Sequence, residues 1–249
     1  MKPIELFLDS IAIIKWKYEK VLQQAQQDFN IFSILRNEAD EVYLHSQFLA
    51  ELLNPKGSHN QGDILLGLFL QQIDLPNFKL KNVYVKKEYN DIDIFIANET
   101  QAIILENKIY AEDQPGQLAR YYESVRKQGI EDIAVIYLTL NGDAPSEQST
   151  KGIVADSLLR TVSYKDDIDA WLEECIKQAA QYPVLRETLV QYQRLIKKLT
   201  GQSSVRGYTM EIKDLLLNER NIKLAIVTCS TDIDKRLSIK GLSKQRHRG

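Results

Sequence analysis

The chain has 249 residues, 44% hydrophobic and 27% charged, with only 6 prolines and 11 glycines, a composition that fits a folded protein with one large core and excludes extended disorder or a fibre. A formal net charge of −2 excludes a globally basic binder but leaves room for a local positive face. Its apolar stretches, such as ILLGLFLQQI (64–73), are too short to span a bilayer, so a cytoplasmic protein with no membrane association is expected.

MKPIELFLDS carries acids inside its apolar run and makes a poor signal peptide; the segment it opens, through residue 29, has apolar residues at helical spacing and predicts a long first helix. EADEVYLHSQFLAELLNP predicts a second helix that stops at Asn54-Pro55, because the residue before proline leaves the α region. After the loop NPKGSHNQG, DILLGLFLQQI reads as a third helix. From residue 82 the period changes to that of strands: NVYVKKEY, DIDIFIA and QAIILENKI form a predicted β-meander with a turn at NET. DQPGQLARYYESVRKQG follows as a helix, with Asp113 as its expected N-cap, Pro115 in the first turn and Gly129 past the end.

DIAVIYLTL predicts a strand buried on both faces, LLRTVSY one more strand, and KDDIDAWLEECIKQAAQ and PVLRETLVQYQRLIKKLTG two helices. Cys175 and Cys229 lie far apart without C-x-x-C spacing, which points away from a zinc knuckle or a disulfide framework; Cys175 reads as a small helix residue. The expected organisation is one domain over 1–200, with its core at about 30–165 and helical flanks, followed by an extension over 201–249 that ends in the basic tail SIKGLSKQRHRG. NIKLAIVTCSTDIDKRL, within the extension, is open to either helix or strand.

The meander places chemistry at one end. Asp93 lies five residues before Asn98 and Glu106 six after Thr100, so at roughly 3.3 Å per residue the two strands return both carboxylates to the same level. Alternation puts Glu106 and Lys108 on one face and leaves the Asn107 carbonyl available. Mg²⁺ wants hard oxygen ligands, usually one or two carboxylates with waters and phosphate oxygens, and Asp93, Glu106 and the Asn107 carbonyl meet that need. A cation so held lowers the pKa of a bound water and polarises a phosphodiester oxygen, while Lys108 can orient the attacking water or neutralise developing charge. A plain salt bridge between Glu106 and Lys108 is the structural alternative.

With DID entering the second strand, ENK near the end of the third and QLARY on the following helix, the chain resembles the PD-(D/E)XK nuclease superfamily. The flanking DEVYLHSQFLAELLNPKGSHNQG, VIYLTLNG and VSYKDDIDAWLEEC are similar to a bacterial branch of it, and the resemblance covers roughly 30–200. It implies an α/β fold with a restriction endonuclease-like αβββαβ core, a central mixed sheet flanked by helices, and extra N- and C-terminal helices. It also implies that Asp93 and Glu106 are metal-binding acids, Lys108 the catalytic lysine, and Gln117 and Tyr121 a supporting pair at i and i+4 on one helix face. YNDID stands in place of a literal Pro-Asp, and Asp91 remains a rival for the metal.

Glu41 and His45, one helical turn apart, are candidates to approach the site as an early-helix Glu does in related nucleases, or else a solvated Glu and a packing His. Glu88 is a candidate for water-mediated metal contact, and His59 for substrate contact or turn stabilisation. The leading expectation is a Mg²⁺-dependent nuclease (Mn²⁺ able to substitute) that hydrolyses DNA through a metal-activated water, in bacterial defence or repair, with RNA as a second possible substrate. The runner-up is a non-catalytic nucleic-acid-binding protein or scaffold that keeps the nuclease fold. A third reading has the helical flanks, notably VLRETLVQYQRLIKKL, forming a homo-oligomer or binding a partner.

Overall fold

The computed structural model describes residues 3–24, 29–152, 158–202 and 204–218. Contacts divide the chain into two units, Phe29–Gln202 and Met1–Asp28 with Ser203–Gly249. In the latter, α1 (Pro3–Gln24) is the long helix expected at the start. The basic tail, Cys229 and NIKLAIVTCSTDIDKRL lie outside the described residues.

In Phe29–Gln202, a short helix α2 (Ile31–Leu35) begins where the Asn30 side chain accepts from Phe32 N–H. The second expected helix has two parts: a π-turn over Glu41–Ser46, capped by Asp40 and marked by His45 N–H donating to the Asp40 carbonyl five residues back, then α3 (Gln47–Leu53). α4 (Ile64–Gln72) follows. The strands β1 (Tyr84–Tyr89), β2 (Ile92–Ala97) and β3 (Gln101–Lys108) form the expected antiparallel meander. Asn90 and Asp91, both at positive φ, make the tight two-residue turn that suits the strand twist. At the next turn the Asn98 carboxamide accepts from Thr100 and Gln101 N–H, an Asx turn that fixes the return of β3.

α5 (Gln117–Arg126) crosses to β4 (Asp132–Thr139), which lies parallel to β3; α6 (Glu147–Thr150) precedes β5 (Leu159–Ser163), parallel to β4. The mixed five-stranded sheet runs β1-β2-β3-β4-β5. After a second π-turn, Tyr164–Ile168, come α7 (Asp169–Gln178) and α8 (Pro183–Leu199); α9 (Ser204–Leu217) belongs with α1, to which Lys17 and Glu211 tie it at 2.7 Å. The α5 expectation needs one correction. Gly116, at φ 69°, is the N-cap, and Asp113 instead accepts from the Tyr137 hydroxyl and Ser146 N–H, which draws the chain before α5 toward β4 and α6.

The sheet has an apolar core on each face. One side packs Ile94, Ile96, Ile103 and Leu105 against α3, α4, α7 and α8, with the Trp171 indole donating to the Leu65 carbonyl; the other packs Phe95, Ala97, Ala102 and Ile104 against Leu118, Tyr121 and Val125 of α5. Leu189, Tyr192, Leu195 and Ile196 of α8 are buried in the first core, so packing within this unit explains the apolar face of that helix. Cys175 is buried there too, and burial pushes its thiol well above the usual range, as suits a packing residue.

His45 lies in the same core, fully buried. Its Nε2–H donates to the Glu38 carbonyl and its Nδ1 accepts from the Tyr192 hydroxyl. Burial pulls its pKa down to about 4, against the Glu38 carbonyl, which favours the charged ring. The unfolded chain therefore takes up a proton near pH 6.5 that the folded chain refuses until about pH 4, and stability falls as pH drops through that window. Urea unfolding at pH 7 and pH 4.5 is expected to show up to about 3 kcal/mol more acid loss in the wild type than in His45→Gln.

Candidate active site

The site arises from register. Pairing Ile94 with Leu105 makes Asp93 and Glu106 the next opposite positions on β2 and β3, and the Asp93 carboxylate takes the place of a ladder acceptor by receiving the Asn107 N–H at 2.8 Å. Glu106 and Lys108 then project from the α5 side of the sheet, with Lys108 Nζ 2.9 Å from Glu106 Oε1. That contact is the salt bridge foreseen as the structural alternative, but it occurs inside a cavity of about 490 Å³ that Asp93 also lines.

Asn107, the residue between them, turns its side chain into the opposite core. Its Nδ2 donates to Ser46 Oγ at 3.0 Å and the Glu41 carbonyl at 3.2 Å, and its Oδ1 accepts from the Tyr164 hydroxyl at 2.8 Å. From α5, Gln117 Nε2 donates to Glu106 Oε1 at 2.7 Å and to the Tyr121 hydroxyl at 3.0 Å. The i, i+4 pair read from QLARY is thus one hydrogen-bonded unit behind Glu106.

Glu41 reaches the site and His45 does not. The π-turn separates directions that a regular α-helix would share, sending Glu41 to the strand end and His45 into the core. Glu41 Oε1 accepts from the N–H groups of Ile109, Tyr110 and Ala111 at 2.7, 2.8 and 2.9 Å, gathering the chain just beyond Lys108. Glu88 and Asp91 are exposed on the cavity rim; Glu88 has φ 52° and an ion pair with Lys87, and Asp91 occupies the turn rather than the Asp93 face. His59 stays in its own loop, with its ring between the Asn54 carbonyl and Gln61 N–H, the turn-stabilising arrangement.

The sequence reading missed Arg120, Ser46 and Tyr164. Arg120 had a signal, since it lies three residues after Gln117 inside the same motif; Ser46 and Tyr164 meet Asn107 only through tertiary packing.

The electrostatics are those of acids crowded out of water. Burial raises the Asp93 carboxyl, against the Asn107 N–H and the Lys108 ammonium, with Glu41 adding to the rise. Burial and then the Asp93 charge push Glu106 up to about 8, against Lys108. Burial opposes the Lys108 ammonium, but Glu106, Asp93 and Glu41 outweigh it and hold its pKa above the usual value.

No N–H or hydroxyl donates to the buried Glu106 Oε2, although Oε1 accepts from two donors, and the Glu106 and Asp93 carboxyls are close enough to share a proton. A buried carboxylate oxygen with no such donor beside a second raised carboxyl fits a hard divalent cation, which would supply the missing partner and relieve the repulsion. Among the described residues no three His, Cys, Asp or Glu side chains are gathered as a full protein cage; a cation here would draw its other ligands from backbone, water or phosphate, as Mg²⁺ commonly does.

The family model described as the PD-(D/E)XK nuclease superfamily matches residues 29–194. The chain belongs to that superfamily. Its members are generally nucleases, hydrolases that act on nucleic acid and typically use divalent metals. The mixed sheet and its flanking helices agree with the restriction endonuclease-like fold expected of such a chain. Neither the curated proteins nor the solved structures give a significant match. No helix among the described residues is long and apolar enough to cross a membrane.

Because the cation must displace protons from raised carboxyls, Mn²⁺ titration near pH 7 is expected to release protons, and apparent affinity to rise with pH up to about 8. Calorimetry in buffers of different ionisation enthalpy reads the release directly; Glu106→Gln should abolish it. Asn107→Ala, which strands the Tyr164 hydroxyl and the Glu41 carbonyl, should cost roughly 2 to 4 kcal/mol in a urea melt.

Proposed function

We propose that this superfamily member is a metal-dependent nuclease that hydrolyses phosphodiester bonds in DNA by attack of a metal-activated water, with no covalent intermediate. The observation that carries the reading is the buried Glu106 Oε2, to which no N–H or hydroxyl donates, in one cavity with Asp93 and Lys108. Asp93, Glu106 and the Asn107 carbonyl would hold Mg²⁺, with Mn²⁺ able to substitute. The cation would supply Lewis acidity, lowering the pKa of a water and polarising a phosphoryl oxygen.

The chain's own groups do the rest. Lys108, kept charged by Glu106, offers its remaining protons to the attacking water or to the oxygens on which negative charge grows. Gln117, braced by Tyr121, fixes the rotamer of Glu106, and Glu41 fixes the strand end that carries Lys108. Glu88 and Asp91, which line the cavity rim, would contact the cation's waters. Retention of Asp93, Glu106 and Lys108 in one cavity favours the enzyme over a degenerate scaffold. A role in bacterial DNA defence or repair, in the cytoplasm, fits such an activity.

Cleavage of labelled single- and double-stranded DNA with Mg²⁺ or Mn²⁺ tests the reading. Wild type should cut only with metal, and Lys108→Ala and Glu106→Ala should each lose on the order of 100-fold or more. A folded wild type that neither cuts nor binds metal would instead support the binding-scaffold reading.

A further inference from the structure

The site cavity is flanked by two depressions of different chemistry, each of which shares one lining cation with it. Toward the ends of β3 and β4, Lys108 borders a depression of about 310 Å³ shared with Tyr110, Tyr137 and Asp143, and no second cation lines it among the described residues. On the other side Arg120, which lines the site itself, leads into an open depression of about 800 Å³ along α5. Arg120, Lys127 and Lys151 stand in its wall against one acid, Glu123.

Arg120 and Lys127 are two turns apart on α5, so they leave the same helix face roughly 10 Å from each other. Lys151 borders the start of that helix: its stem lies over Gly116, where an added Cβ would stand 2.6 Å from Cε and 2.8 Å from Nζ. None of these three cations has a carboxylate partner among the described residues, and Arg120 donates only to the Pro115 carbonyl at the start of the helix. In a chain of net charge −2, three unpaired cations side by side on one open face repel each other and are complementary to a polyanion.

We propose that this face of α5 is a DNA backbone track, in which the strand running on from the scissile phosphate passes Lys151 and Arg120 near the start of the helix and continues to Lys127 at its end; this rests on the nuclease reading. The roughly 10 Å row matches about three nucleotide steps of a DNA strand at 3.4 Å each. Its small floor residues, Ala119 and Ser124, let a backbone approach the helix closely. Contacts of this kind position the strand without reading its sequence.

The test measures affinity of the full chain for a fluorescent DNA duplex with a single-stranded overhang, in EDTA to prevent metal-dependent cutting, across a range of salt concentrations. Lys127→Gln and Lys151→Gln change exposed side chains and should leave the fold intact. Each phosphate contact removed lowers the slope of log K against log salt by about 0.7 to 0.9, so the double variant should lose about 1.4 to 1.8. Lys177→Gln, on α7 in the opposite layer, should leave the slope at the wild-type value. A wild type that does not bind DNA, or a double variant with an unchanged slope, overturns the track, and a slope loss seen only with RNA of the same sequence overturns the DNA assignment. The readout needs no catalysis: slope loss without cutting keeps the track and removes the nuclease reading, while cutting with unchanged slopes does the reverse.

Discussion

The Asn107 amide lies on the face of β3 opposite the acids, held by Ser46, the Glu41 carbonyl and Tyr164, and its own N–H holds Asp93. Because strand side chains alternate, pinning this one residue into the helical core fixes the direction in which Glu106 and Lys108 leave on either side. The same three partners come from the π-turn before α3 and from the start of the second π-turn, so the helical layer and the charged face are set by one buried hydrogen-bonded group. A fully satisfied polar group in a core specifies a single packing more sharply than apolar contact does.

What it fixes is an arrangement that folding alone would not favour. Two carboxyls are held out of water with raised pKa values, one of their oxygens receives no N–H or hydroxyl, and Glu88 nearby sits at positive φ. Such local conflicts are what a site under chemical constraint shows, and they persist because the surrounding sheet and both cores over-determine the backbone. The apolar run Ala102 to Leu105 buries itself on both faces and delivers the strained pair to the end of the strand.

Much of this was legible from residue order. The β-rich runs at 84–108, the similar lengths back to Asp93 and Glu106, and the i, i+4 spacing of Gln117 and Tyr121 are local signals, and local signals survive into the fold. What was not legible depended on contacts distant in sequence. Asp113 looks like a helix cap until Tyr137 and Ser146 claim it, and Tyr164 meets Asn107 across 57 residues. Glu41 and His45 share a helical face only if the helix is regular; the extra residue in its turn, which nothing in EVYLHS announces, sends them apart.

That extra residue gives the segment a reading frame. One turn of the segment holds one residue more than an α-helix would, so the residues before it are rotated by roughly 100° relative to α3. Shortening 41–46 by one would let α3 run on as regular helix, with its apolar face still seated on the core, while the carboxylate that gathers residues 109–111 swung away from them. The segment therefore ties two properties together: it carries the carboxylate that closes the strand end and also Leu44, His45 and Ser46 of the core, with the Glu41 carbonyl and Ser46 Oγ that hold Asn107, so a change in its length is felt on both sides of the sheet at once.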